Sequence, residues 1–271
     1  MRTCSTHREV SLLCASLLAF ALSGSTPAHA ETTMLLRDTF DITPIAGDPD
    51  FGLNADLTKR QSGTLAPAHY SRLPGVWFES PPAAAELVRV GDRLQDGSSG
   101  KLSFHGFSAI RLDAPLGPDE SGAWHVSARL NPVVNDTKGM SWLSIILRPQ
   151  RESLGWVTNE GNLVGLLVRS NGEVGLFSHG NVIPLSWATK PPAAAPTYAV
   201  SFSLHPVATK DGRALRLEGS VNDMAFTATL LEGKDIHVPE SLFLNLGAHY
   251  HPKDQSLSWI DDLELSGSPT K

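Results

Sequence analysis

No cysteine lies beyond position 14 of this 271-residue chain; Cys4 and Cys14 are the whole complement. Both fall in a start that is basic (Arg2, His7, Arg8), then apolar or small from Val10 to Leu22, then ends in Ala28-His29-Ala30. That order reads as a cleaved secretory signal over residues 1–30, with small residues three before and one before a cut after Ala30. A lipidated Cys14 is disfavoured because Leu13 stands where a small residue is required. Once the segment is removed, no disulfide, thiolate nucleophile or cysteine metal site is available. Beyond the signal no apolar run is long enough to span a bilayer. Charge is scarce and scattered, with 22 basic and 28 acidic residues and a net of −6. Neither nucleic acid nor an anionic membrane is an expected partner for such a surface. The expected location is the periplasm or the extracellular medium.

Long 3.6-residue apolar periods are also missing, broken by 19 prolines and 23 glycines. What remains alternates. Tyr198, Val200, Phe202 and Leu204 share one phase, and Trp124, Val126, Ala128 and Leu130 another, as half-buried strands require. The stretch 141–147 is apolar in both phases and reads as a central strand. Other short strands are expected at 36–41, 102–112, 163–169, 173–178, 213–219, 224–231, 242–247 and 258–265. Asn171-Gly172 is a type I′ hairpin signal, and Lys210-Asp211-Gly212 and Val221-Asn222-Asp223 mark further turns. The expected architecture is all-β, an antiparallel two-sheet jelly-roll sandwich occupying residues 31–271 as one domain. The Pro-Ala stretches at 81–85 and 191–196 are read as surface loops within it.

The opening Leu36-Arg-Asp-Thr-Phe-Asp41, with Leu53-Asn-Ala-Asp-Leu57 and residues 60–67, resembles the start of bacterial secreted laminin-G-like domains. The closing Ile260-Asp-Asp-Leu263 resembles the last strand of the same branch of the concanavalin A-like lectin/glucanase superfamily. The resemblance implies two antiparallel sheets with first and last strands adjacent, and members that bind glycans or proteins or cleave polysaccharides.

Sequence signals for catalysis are few. The superfamily's glucanases alternate carboxylates on one strand, roughly 6–7 Å apart. Here only Asp262 and Glu264 are so spaced on an expected strand, with Ile260 in the third place, and they read as solvated side chains. There is no G-x-S-x-G, no H-E-x-x-H and no phosphate loop. His249-Tyr250-His251 with Asp254 lacks an identifiable third metal ligand and reads as a polar loop. Asp261, in phase with Trp259, Leu263 and Leu265, is expected to point inward and so to need a partner. Two readings stay open: a hydrogen bond at a loop or bulge, or a structural Ca²⁺ near the paired termini held by Asp38, Asp41, Asp261 and Asp262.

The aromatics complete the inventory. Trp124, Trp142 and Trp259 sit within strands and read as core. Trp156 with Asn159 and Asn162, plus Trp187 and Tyr250 in other loops, form the candidate carbohydrate-binding set, since an exposed indole offers a flat apolar face to a pyranose ring. The opposing reading has Trp156 capping the sandwich end while the asparagines shape turns. A carbohydrate-binding module without catalytic activity, taking a neutral polysaccharide, is the leading expectation. An envelope structural or protein-interaction domain comes second and a polysaccharide-degrading hydrolase or lyase third.

Overall fold

Alternating apolar residues meet their partners in two antiparallel sheets. The computed structural model describes residues 34–38, 55–56, 70–71, 88–90, 102–104, 108–112, 115–132, 141–151, 156–249 and 258–269. All belong to one compact unit, Glu31–Lys271. The strands in chain order begin with β1 Met34–Asp38, β2 Ala55–Asp56, β3 Tyr70–Ser71, β4 Val88–Val90, β5 Leu102–Phe104, β6 Ser108–Arg111 and β7 Leu116–Gly117. Then follow β8 Trp124–Asn131, β9 Trp142–Arg148, β10 Val164–Arg169, β11 Val174–Ser178, β12 Asn181–Val182 and β13 Ser186–Trp187. The last are β14 Tyr198–Thr209, β15 Gly212–Val221, β16 Met224–Gly233, β17 Phe243–His249, β18 Ser258–Ser266 and β19 Ser268–Pro269. No helix occurs among the described residues.

The larger sheet runs β13-β16-β15-β14-β8-β18-β5-β4-β2, with β1 also on β18 and β3 on β1. The smaller runs β12-β11-β10-β9-β17-β6. First and last long strands are therefore neighbours, with Arg37 opposite Glu264. The two sheets face each other across one core to which the larger contributes Val126, Phe202 and Leu217 and the smaller Ile145, Leu166 and Leu246. Each such side chain is essentially inaccessible and contributes about 1.5–3 kcal/mol by leaving water. The expected phases of β8 and β14 hold, with Val126, Ala128, Leu130, Val200, Phe202 and Leu204 buried. β9 is central in its sheet and buried along its whole length.

Turn chemistry departs from expectation in one place. At Asn171-Gly172 only Gly172 has a positive φ, +89°. Gly172 N–H donates to Arg169 O and Arg169 N–H to Glu173 O, while Asn171 Oδ1 accepts from Glu173 N–H. This is a three-residue connection ending in a left-handed glycine, not a type I′ turn. The type I′ geometry sits instead at Asn222-Asp223, both left-handed at φ 48° and 64°, between Val221 and Met224. Asn222 tolerates that backbone because its side chain is engaged: Oδ1 accepts from Ala199 N–H and Nδ2 donates to Thr197 O.

Candidate functional site: the Trp156 loop and the outer face of the smaller sheet

The connection from β9 to β10 is built by its asparagines. Asn159 N–H bonds Trp156 O and Asn162 N–H bonds Asn159 O, making two successive turns. Asn159 Oδ1 accepts Gly161 N–H at 2.8 Å, a side chain holding its own turn. Asn162 is fully buried, and its Nδ2 donates to Trp156 O at 2.9 Å and Val157 O at 3.1 Å. Val157 packs with Trp142, Ile146 and Leu167 against half-buried Phe177. A Cβ on Gly165 would stand 2.5 Å from Val157 O, so glycine lets the loop lie directly on β10. Trp156, by contrast, is 56% exposed. The loop is fastened to the sheet while its indole faces solvent.

Of the other members of the predicted set, neither Asn162 nor Trp187 adds an exposed contact to it. Asn162 acts as a clamp inside the loop rather than as an exposed ligand contact. Trp187 lies in β13 of the larger sheet, and its ring meets Phe226 edge-on at 5.3 Å, packed against the core. Its strand, between Leu185 and Ala188, has two residues and is too short to show a period, so the sequence alone places Trp187 in a loop. Tyr250 lies outside the described residues, as do His251 and Asp254. His249 ends β17 and stacks on Trp142 at 5.8 Å between ring centroids. Trp142 thus belongs to the outer face of the smaller sheet and not to the main core, whereas Trp124 is core, its Nε1 donating to Leu116 O.

The same outer face carries residues that sequence reading passed over. In register across β6, β17, β9, β10 and β11 lie Arg111, Asn245, Ile146, Gly165 and Phe177. One step along, Arg148 is almost wholly buried and its Nη2 donates to Gln150 Oε1 at 3.3 Å. Arg111 Nη1 donates to Arg151 O. A Cβ on Gly161 would come within 2.7 Å of Arg148 Nη2, which puts the guanidinium beside the Trp156 loop. The available signal was the phase of β9: Trp142, Ser144, Ile146 and Arg148 are two apart, but the apolar run hid that Arg148 continues the outward row. These guanidinium and amide groups are covered, so they brace the sheet and the loop above it.

The acids near the paired termini are arranged differently from expectation. A bulge interrupts the pairing of β18 with β8 between Asp261 and Glu264, and Asp262 sits at φ 49°. Ile260 is core before the bulge and Leu263 and Leu265 after it, so Asp261 leaves the phase of Leu263, but it is buried and partnered by Arg129. Arg129 Nη2 reaches Asp261 Oδ2 at 2.6 Å and Asp262 Oδ2 at 3.0 Å. Asp261 Oδ1 accepts Asp262 N–H. Burial pushes the Asp261 carboxyl above its ordinary range, and the Arg129 hydrogen bond only partly counters this. Trp259 is half-buried rather than core, with Arg129 6.0 Å above its ring centre. Glu264 pairs with Arg37 at 3.2 Å, so Asp262 and Glu264 each face an arginine, and the bulge breaks the two-residue spacing a catalytic pair needs.

For calcium, the fit is poor on this arrangement. Asp261 and Asp262 already have a cation between them, and no group of three or more His, Asp or Glu able to hold a metal occurs among the described residues. Asp38 contributes backbone to β1 opposite Leu263, while its side chain and all of Asp41 lie outside them.

Comparison with known proteins gives fold-level likenesses only. No family model matches the chain, and no curated protein matches. An endo-1,3-β-glucanase from Streptomyces sioyaensis is similar at 14% identity and TM-score 0.47, over 91% of this chain and all of that one. The Emp47p carbohydrate recognition domain is similar at 12% identity and TM-score 0.45, over 74% and 92% of the two chains. Alginate lyase A1-II′ follows at 12% identity and TM-score 0.39, over 68% and 85%. At such identities and scores these likenesses assign neither ligand nor reaction.

Proposed function

We propose that this chain is a secreted carbohydrate-binding β-sandwich that contacts a neutral polysaccharide through Trp156 and the adjoining Asn159 of the loop over the smaller sheet, without catalysis there. The carrying observation is the contrast within one loop: Trp156 is 56% exposed while its neighbours Val157 and Asn162 are buried. An apolar ring held in water by a preformed loop loses little freedom when it stacks on a sugar, so most of the contact energy survives as affinity. Asn159, whose N–H donates to Trp156 O, is partly exposed beside the indole and supplies a polar group at the rim. The resemblance of Leu36–Asp41 and Ile260–Leu263 to laminin-G-like domains supports the same reading. Export follows from the N-terminal signal, with cleavage after Ala30 and release to the periplasm or the medium.

Affinity electrophoresis of the mature protein through gels containing soluble neutral polysaccharides tests this. Retardation by at least one polysaccharide is expected, and Trp156→Ala is expected to weaken it about tenfold or more with an unchanged melting temperature. Wild-type protein that migrates freely through every gel would overturn the reading.

A further inference from the structure

The larger sheet's outer face, which the binding reading does not use, carries a second arrangement. Ser203 and His125 are directly opposed on β14 and β8. His125 Nδ1 lies 2.6 Å from Ser203 Oγ, and its Nε2 lies 3.0 Å from Asp119 Oδ2. Asp119 is itself fixed, because its Oδ1 accepts from Ser121 N–H, Ser121 Oγ and Ala123 N–H in the turn before β8. Burial raises its pKa, but those bonds together with the one to His125 outweigh burial and hold the carboxyl below its ordinary range. An ionised carboxylate only accepts, so a neutral His125 must carry its proton on Nε2. Its Nδ1 lone pair is then left for the Ser203 hydroxyl. The side chain of Asp119 is 4% exposed and that of His125 32%, so the acid is shielded and the base is accessible.

A hollow adjoins this relay. His125, Ser127, Ser201, Ser203, Glu264 and Ser266 line a space of about 150 Å³. Through Ser127, Ser201 and Glu264 it joins a trough of about 400 Å³ whose walls include Arg37, Arg129, Asp223 and Asp262. The trough exists because the strand register places small residues in a row, with Glu264 opposite Ser127, Ser127 opposite Ser201 and Ser201 opposite Ser220. Short hydroxyls make the floor while longer charged side chains stand at the margins.

The geometry points to an acyl-ester hydrolase site with Ser203 as nucleophile, His125 as base and Asp119 as the positioning residue for His125. Ser203 Oγ forms a bond to the ester carbonyl carbon as its proton passes to His125 Nδ1. The carbonyl electron pair moves to oxygen, where the hydroxyls of Ser127, Ser201 and Ser266 are the donors lining the hollow. Collapse of the tetrahedral intermediate breaks the ester C–O bond, and the alcohol leaves with the proton from His125. Water then repeats the sequence on the acyl-serine and releases the acid. That serine meets Nδ1 and acid meets Nε2 is no obstacle, since the relay needs one N–H and one lone pair on the ring. The small hollow suits a short acyl group such as acetyl, and the hydroxyl-floored, charged-walled trough suits a polyhydroxy alcohol, so the substrate class is a short-chain ester of a sugar or polyol.

Treatment of the mature protein with a small fluorophosphonate, read by intact and peptide mass, tests this independently of any polysaccharide. One adduct on Ser203 is expected, absent from Ser203→Ala, together with turnover of p-nitrophenyl acetate that the same variant loses. Asp119→Asn is expected to slow labelling about 100-fold, while Ser186→Ala, on β13, labels as wild type. Circular dichroism and melting curves establish that each variant is folded. A folded wild type that takes no label, an adduct that persists in Ser203→Ala, or an unchanged labelling rate in folded Asp119→Asn would overturn it.

Discussion

The outward faces of the two sheets differ more than the shared strand period suggests. On β8 and β14 the outward positions His125, Ser127, Arg129, Ala199, Ser201 and Ser203 are partly or fully exposed, and their neighbours point into the core. On β9 the outward positions Trp142, Ser144, Ile146 and Arg148 are as buried as the inward Leu143, Ile145 and Leu147. The first face is a polar surface furnished with small residues; the second is a second apolar layer with polar groups set into it. Alternation therefore marks which side of a strand meets the core only where the other side meets water.

Breaking that comparison requires equivalent substitutions on both faces. Ile146→Ala on the smaller sheet should cost about 2–5 kcal/mol, a core-like penalty, because Ile146 is fully buried against Val157 and Leu167. Ser201→Ala on the larger sheet should change stability by less than about 0.5 kcal/mol. Urea denaturation of both variants decides it, and equal small effects would remove the distinction between the faces.

Smaller effects should follow from the loop that covers β10. Asn162→Ala deletes both hydrogen bonds to the Trp156 and Val157 carbonyls and should cost about 1–3 kcal/mol. Gly165→Ala places a methyl 2.5 Å from Val157 O, so the loop must lift, and polysaccharide retention should weaken more than the melting temperature falls. A Gly165→Ala variant that binds as wild type would detach the loop's position from its function.

The two buried aspartates sharpen the comparison through pH. Asp119 has a folded pKa below its ordinary 3.8, so its stabilisation is present above 3.8 and is lost as pH falls through the lower folded value. Asp261 has a folded pKa above 3.8, so it favours the fold in acid, and that contribution is lost as pH rises through the raised value. Asp119→Asn should flatten the acid limb of a stability–pH curve, and Asp261→Asn should raise stability at neutral pH relative to its effect near pH 3. The smallest expected effect is that of chelation: with Arg129 between Asp261 and Asp262, EDTA should leave the melting temperature unchanged. A fall would restore calcium at the paired termini.

Much of the fold was legible because its longest strands are half-buried. Tyr198 to Leu204 and Trp124 to Leu130 announce their phase, and Ile260-Asp-Asp-Leu263 announces the strand that closes beside the first. A hydrogen bond at a bulge was one of the two readings left open for Asp261, and Asp262 N–H on Asp261 Oδ1 realises it; the part played by Arg129, from another strand, was not legible. The loop position of Trp156 and Asn159 is legible, and so is the reading in which the asparagines shape turns, but nothing local reveals that Asn162 is covered. Arg111, Arg148 and Asn245 were missed for a related reason: they share a face only through cross-strand pairing, which sets Arg111 opposite Asn245 and Arg148 opposite Phe243, far apart in the chain. The Asp119–His125–Ser203 chain spans a turn and two strands and follows no local motif.

The central claim, that an exposed indole on a fastened loop binds carbohydrate, is tested most directly by comparing wild type with Trp156→Ala in affinity gels of neutral polysaccharide. The account predicts retardation of the wild type, its loss by about tenfold or more in the variant, and coincident melting curves. Equal retardation of both proteins, or a variant that loses both binding and several kcal/mol of stability, would contradict it.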